Sequence, residues 1–279
     1  MKIESPENTY ITKSYPPPGN FGQVFIVQRE SDQNFFAIKI IHSDIKTRYG
    51  VDVKKSFDLF TQGMTHHNSI LGIEEYFIYD SSHHFVFEHF NGNTLKMLSE
   101  DGIAFNDSIT IFESILDGIN HAHSGSNALT HNNLHPGNIL VDEDLNIKIC
   151  DIVVSKIFVL PDRHTGKCYL SPEINEGRSR IKNASDVYSL GGIFFQMITG
   201  HDPNNNFKHF REELQKKLPS IALALIQQIS ICILKAMKEY EDERYQSISE
   251  FRACFTQAIA AVIIEPVPKL RFIKSNRRT

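Results

Sequence analysis

Tryptophan is absent, and the four cysteines, Cys150, Cys168, Cys232 and Cys254, stand far apart with no C-x-x-C pair among them. That usage excludes a zinc knuckle or a disulfide framework and suits a reducing cytoplasm. The formal net charge is only −4, so the chain carries no global basic footprint for nucleic acid. Basic residues concentrate once, in KLRFIKSNRRT, where Lys269, Arg271, Lys274, Arg277 and Arg278 read as a solvated tail, with contact to an acidic partner as the alternative. No internal repeat is present, and no apolar run is long. The most apolar stretch, Ile221 to Met237, is interrupted by Gln227, Gln228, Ser230 and Lys235, which predicts a buried helix instead of a membrane span. The opening MKIESPENTY has no basic segment followed by an apolar run, so no secretory signal is expected and no membrane partner is implied.

What is present changes character along the chain. Short β-favouring runs, QVFIVQ at 23–28, FFAIKII at 35–41, IEEYFIYD at 73–80 and HFVFEHF at 84–90, are separated by polar turns. One helix-like segment, 51–64, interrupts them. Beyond Asn91-Gly92-Asn93 the period becomes helical: Phe112, Ile115, Leu116 and Ile119 share one face, and so do Val187, Leu190, Phe194 and Met197. Ser185 is the expected N-cap of the second helix and Gly200 its stop. NILVD and IKICD flank a turn and predict a short hairpin. The expectation is an α+β fold in two lobes, a β-rich lobe over 1–90 and a larger helical lobe over 91–265, followed by the basic tail 266–279, with a hinge near 88–93.

Several motifs fall in order on this frame. PPPGNFGQVF, 16–25, places Gly19 and Gly22 where a turn between strands can approach phosphates, although a plain hairpin turn has the same composition. Ala37-Ile38-Lys39 follows on a predicted strand. Next comes THNNLHPGNILV, 130–141, and then Asp151, thirteen residues after Asn138 across the predicted hairpin. Ser171-Pro172-Glu173, DVYSLG at 186–191 and DERYQSISEF at 242–251 complete the series. His121, His123, His131 and His135 have no recognised metal-ligand spacing and read as structural.

In this order and spacing the chain resembles the eukaryotic-type (Hanks-type) Ser/Thr protein kinases, and among them the bacterial ones, over roughly residues 9 to 260. The resemblance implies the two-lobed protein kinase fold with ATP and magnesium as cofactors and a protein as substrate or partner. Gly19, Gly22, Val24 and Ala37 would cover the nucleotide, Phe87 would be the gatekeeper, and Glu88 to Phe90 the hinge beside adenine. Lys39 would hold the α- and β-phosphates. Its orienting carboxylate, counted back from the turn at His67, falls on Asp58, one methylene shorter than the family's Glu. Asn138 and Asp151 would hold magnesium through oxygen. His131 would pack the catalytic loop, Asp186 would brace it, and Glu173 would pair with Arg244.

The departures bear on activity. Asn133 stands where the family has the Asp that accepts the substrate hydroxyl proton, and losing a general base costs about 10² to 10⁴ in rate. His135 replaces the usual lysine; with an ordinary pKa of about 6.5 it is a weaker phosphate clamp at neutral pH. Val153 replaces the Gly of Asp-Phe-Gly and favours a segment fixed in one state. Gly166 falls where the family carries a threonine beside the base, Thr165 lies one position off, and Thr165 and Ser155 are the segment's only hydroxyls before Tyr169. Phosphoryl transfer is therefore expected to be absent or strongly impaired. Two histories fit equally: a natural pseudokinase, or an active divergent kinase silenced at Asn133. A still-active enzyme is the alternative to both. The HPGN loop also resembles small-molecule phosphotransferases of the aminoglycoside and choline kinase group, but those lack the Ser-Pro-Glu and DVYSLG patterns.

Overall fold

Six antiparallel strands form the first sheet, the four longer ones because they are rich in β-branched and aromatic residues. In chain order these are β1 (Lys2–Glu4), β2 (Thr9–Thr12), β3 (Gly22–Arg29), β4 (Phe35–Ile41), then, after helix α1 (Val53–Gly63), β5 (Ile73–Tyr79) and β6 (Ser82–Glu88). Spatially the order is β1-β2-β3-β4-β6-β5. The chain continues through β7 (Asn93–Thr94), α2 (Leu95–Leu98), α3 (Phe105–Ala122), β8 (Ile139–Val141), β9 (Ile147–Ile149), α4 (Ile152–Ile157) and α5 (Pro172–Asn175). The last four helices are α6 (Asn183–Thr199), α7 (Phe207–Lys217), α8 (Leu223–Ala236) and α9 (Ile248–Ile259). The computed structural model describes residues 1–15, 19, 21–48, 50–63, 66–124, 128–159, 166–177, 181–203, 207–219 and 222–260. Thr165 and the basic tail 266–279 lie outside them.

The chain divides into two units, one gathering residues from 1–66, 70–91 and 153–165, the other from 67–69, 92–152 and 166–279. In the first unit, strand parity sorts β4 onto two faces. Phe36 and Ile38 join Tyr10, Phe25, Val27, Phe77 and Val86 on one side. Ile41 and the partly buried Ala37 pack with Phe85, Phe87, Phe57 and Tyr76 on the other. Lys39, between Ala37 and Ile41 in the alternation, takes the second side.

That second side also receives α4, an element the strand-like sequence Ile152-Val153-Val154 does not announce. Val153, Val154, Ile157 and Phe158 are buried within the same cluster as Phe57 and Phe85. Phe158 meets the Phe85 ring edge-on at 6.0 Å. Backbone bonds secure the segment: Arg48 N–H donates to Ile157 O at 2.9 Å, and Val159 N–H to Lys46 O at 2.9 Å. Val153 takes ordinary helical backbone, and the left-handed turn falls instead on Asp151, at φ 67°.

In the second unit α3 buries Phe112, Ile115, Leu116 and Ile119. Phe112 meets Phe194 of α6 and Phe255 of α9, each with ring centroids 4.9 Å apart. Within the 221–237 stretch, Leu223–Ala236 folds as α8 with Ile226, Ile229, Cys232 and Ile233 inside. No helix among the described residues is long and apolar enough to cross a membrane. At α6 the structure corrects the expected cap. The helix begins at Asn183 after Lys182, and the Ser185 hydroxyl, one turn in, donates to Glu173 Oε1 at 2.6 Å because a buried carboxylate outcompetes a backbone amide for it. Gly200 ends the helix in the left-handed conformation, at φ 76°, with its N–H on Gln196 O.

Candidate functional site

The loop 130–138 has little regular structure, so its backbone amides need partners from elsewhere, and one carboxylate supplies them. Asp186, in the first turn of α6 and fully buried, accepts from His131 N–H at 2.6 Å and Asn132 N–H at 2.9 Å. His123, at the end of α3, donates to the same carboxylate from Nε2 at 2.7 Å. Burial alone would push the Asp186 carboxyl up, but these donors outweigh it and hold it below the usual range. Asn132 takes φ 63°, a left-handed conformation that asparagine tolerates better than most residues and that lets both amides converge on one side chain. His131 donates from Nε2 to the Cys150 carbonyl at 2.9 Å, and burial pushes its imidazole pKa down, keeping the ring neutral. His123 as the third support of Asp186 is a role the sequence reading missed; its only signal was a histidine at a helix end.

Asn133 is 1% exposed, and its Oδ1 is buried without a hydrogen-bond partner. Its backbone carbonyl accepts from Asn138 Nδ2 at 3.0 Å. An amide that spends its nitrogen this way presents its oxygen as an acceptor, the donor type that magnesium takes, so Asn138 fits the ligand role. Asn138 N–H in turn donates to His135 O at 2.9 Å, and Cys150 N–H to Asn138 O at 2.8 Å, which ties the loop to the strand end that leads into Asp151. Asp151 is itself buried. Among the described residues no group of three or more His, Cys, Asp or Glu is suited to a metal, so a cation at this loop would draw on two protein oxygens, waters and phosphate. His135 Nδ1 accepts from Gly137 N–H at 3.1 Å. In the neutral ring this leaves the hydrogen on Nε2, so that nitrogen donates and cannot accept a proton.

Glu173 and Arg244 make a two-pronged buried pair, Nη1 to Oε1 at 2.8 Å and Nη2 to Oε2 at 2.9 Å. Arg244 also donates to the carbonyls of Lys238 at 2.7 Å and Glu239 at 2.8 Å. Burial would raise the Glu173 carboxyl, yet the bonds from Arg244 and Ser185 hold it down at about 2.

In the first unit, Lys39 pairs across the sheet with Val24 and Phe85, is buried, and sets its ammonium 5.4 Å from the Phe21 ring centroid. Gly22 begins β3, where a Cβ would meet Ile40 O at 1.9 Å, so the strand pairing itself demands glycine. Gly19 N–H closes onto Gly22 O at 2.7 Å. Val24 is exposed, Ala37 pairs with the buried Phe87, and Phe90 is half-buried. The Glu88 carboxylate accepts from Gly72 N–H at 2.7 Å while Glu88 N–H donates to Gly72 O at 2.9 Å, fixing the end of β6. Asp58 lies on α1 with Lys54 one turn before it at 2.7 Å.

A family model described as the protein kinase domain matches residues 18–262, and the chain belongs to that family. Its fold is the protein kinase fold, with a β-sheet N-lobe and a helical C-lobe. Serine/threonine-protein kinase PrkC of Bacillus subtilis (strain 168) is 29% identical over 213 residues, covering 70% of this chain and 32% of PrkC. A probable serine/threonine-protein kinase PknB of Lactococcus lactis is 27% identical over 229 residues, covering 77% of this chain and 36% of the relative. CBL-interacting protein kinase 26 of Oryza sativa is 27% identical over 194 residues, 66% of this chain and 39% of the relative. The chain thus spans well under half the length of each of these relatives. In fold it is similar to the crystal structure of the Mycobacterium tuberculosis PknI kinase domain, with a TM-score of 0.67 at 16% identity over 89% of this chain and 96% of that one.

Proposed function

We propose that this protein is a Ser/Thr protein kinase-like module that binds ATP and magnesium and in which phosphoryl transfer to protein hydroxyls is absent or strongly impaired. The observation that carries the reading is Asn133, a buried amide held in a fully braced loop at the position where transfer needs a base. A neutral amide can accept a hydrogen bond from a substrate hydroxyl but cannot take its proton. His135 does not substitute for it, since its Nε2 is the protonated nitrogen. The surrounding parts are kept: Asn138 and Asp151 for the metal, Lys39 for the phosphates, and Gly19, Gly22, Val24, Ala37, Phe87 and Glu88 to Phe90 for the nucleotide. Asp58, engaged with Lys54, is left out of this set. Such a module would signal by presenting a nucleotide-dependent surface to a protein partner, and its free cysteines support a cytoplasmic setting.

The test compares autophosphorylation of the chain and of Asn133→Asp with magnesium and ATP. The reading expects a signal near background from the unsubstituted chain, and robust turnover by it overturns the proposal. Activity regained by Asn133→Asp would assign the whole defect to one residue; silence in both would support a binding module. Thermal stabilisation by ATP with magnesium is expected in either case, and its absence would sink the nucleotide assignment.

A further inference from the structure

Two of the four cysteines converge on one phenol. The Tyr245 hydroxyl lies 2.9 Å from Cys254 Sγ on α9 and 3.6 Å from Cys232 Sγ on α8. The phenol is held in place: its ring stacks on Phe251 at 5.2 Å, and the Lys235 ammonium sits 4.4 Å from its centroid. The pair is asymmetric. Cys232 is buried, and burial pushes its thiol up and keeps it protonated, whereas Cys254 is half-buried.

We infer that Cys232 and Cys254 form a peroxide-oxidisable dithiol whose disulfide ties α8 to α9. In the first step Cys254 sulfur attacks a hydroperoxide oxygen: the S–O bond forms, the O–O bond breaks, and the thiol proton leaves with the departing oxygen as alcohol, or as water from hydrogen peroxide. In the second, Cys232 sulfur attacks the resulting sulfenic acid: the S–S bond forms, the S–O bond breaks, and hydroxide departs with the Cys232 proton as water. One peroxide is reduced by two electrons and two thiols are oxidised. Tyr245 is a positioning residue that keeps both sulfurs on one point.

The reduced chain is exposed to equimolar hydrogen peroxide at neutral pH, quenched by alkylation, digested and mapped by mass spectrometry. The expected product is a Cys232–Cys254 linked peptide pair, lighter by two hydrogens and reversed by dithiothreitol, formed before any oxidation of the half-buried Cys150 or Cys168. Cys232→Ser should stop at a dimedone-trappable sulfenic acid on Cys254. Tyr245→Phe should slow the link severalfold while circular dichroism stays unchanged. Over-oxidation of Cys254 without the link, first oxidation at Cys150 or Cys168, or a link that forms only in urea would each overturn the dithiol. An unaltered rate in Tyr245→Phe would overturn the positioning role.

Discussion

Replacing Arg244 with leucine should cost far more than removing a surface ion pair. Arg244 and Glu173 are each 2% exposed, and the arginine supplies both of the carboxylate's charged partners at 2.8 and 2.9 Å. In Arg244→Leu, Glu173 loses both guanidinium donors and keeps neutral ones such as the Ser185 hydroxyl, and the Lys238 and Glu239 carbonyls lose their donors. Stranding one member of a buried pair costs about 3 to 5 kcal/mol, and a domain of this size should melt roughly 10 °C lower. The sign of the pH dependence separates this from simple loss of packing. With Arg244 present, Glu173 titrates at about 2 against an ordinary 4.5, so its charge contributes stability above pH 4.5 that is lost as pH falls toward 2. Without Arg244, burial outweighs the remaining neutral donors and raises the carboxyl pKa, so the variant gains relative stability on acidification. Urea unfolding of both proteins at pH 7 and pH 4 should show a large gap at neutral pH that narrows in acid. A gap below about 1 kcal/mol, or one of equal size at both pH values, refutes the reasoning.

Three further outcomes are expected. Asp186→Asn turns an amide NH₂ toward donors that need an acceptor; hydrogen exchange at the His131 and Asn132 amides should accelerate at least about tenfold, since each bond to a charged acceptor contributes about 1.5 to 3 kcal/mol. Phe158→Ala should destabilise the N-lobe by about 3 to 5 kcal/mol in urea unfolding, because the ring is fully buried against the sheet. Gly22→Ala should lower the melting temperature by the equivalent of about 1 to 3 kcal/mol, as its Cβ would collide with the Ile40 carbonyl.

Strands β3, β4, β5 and β6 and helices α1, α3, α6 and α8 could be read from the chain because their apolar period matches the face each buries. Strands β1 and β2 could not: KIE and TYIT are too short for alternation to show, and they form because β3 offers them an edge. Helix α4 was hidden for a different reason. Ile-Val-Val favours extended backbone, and only the tertiary cluster with Phe57 and Phe85 overrides that preference. At the site, motif spacing located Asn133, Asn138, Asp151, Asp186, Glu173 and Arg244, but hydrogen-bond allegiance was not legible. Ser185 served Glu173 instead of its own helix, and His123 joined Asp186 across sixty-three residues.

The seating of α4 sets an energy scale for signalling. Fully burying an aliphatic or aromatic side chain is worth about 1.5 to 3 kcal/mol, so withdrawing Val153, Val154, Ile157 and Phe158 together would cost on the order of 6 to 12 kcal/mol. Breaking the backbone bonds to the 46–48 stretch adds to that. A single phosphate that gains one charge-assisted bond returns only about 1.5 to 3 kcal/mol. Helix α4 therefore behaves as masonry, and a covalent mark beside it changes the charge the protein displays without unseating the helix.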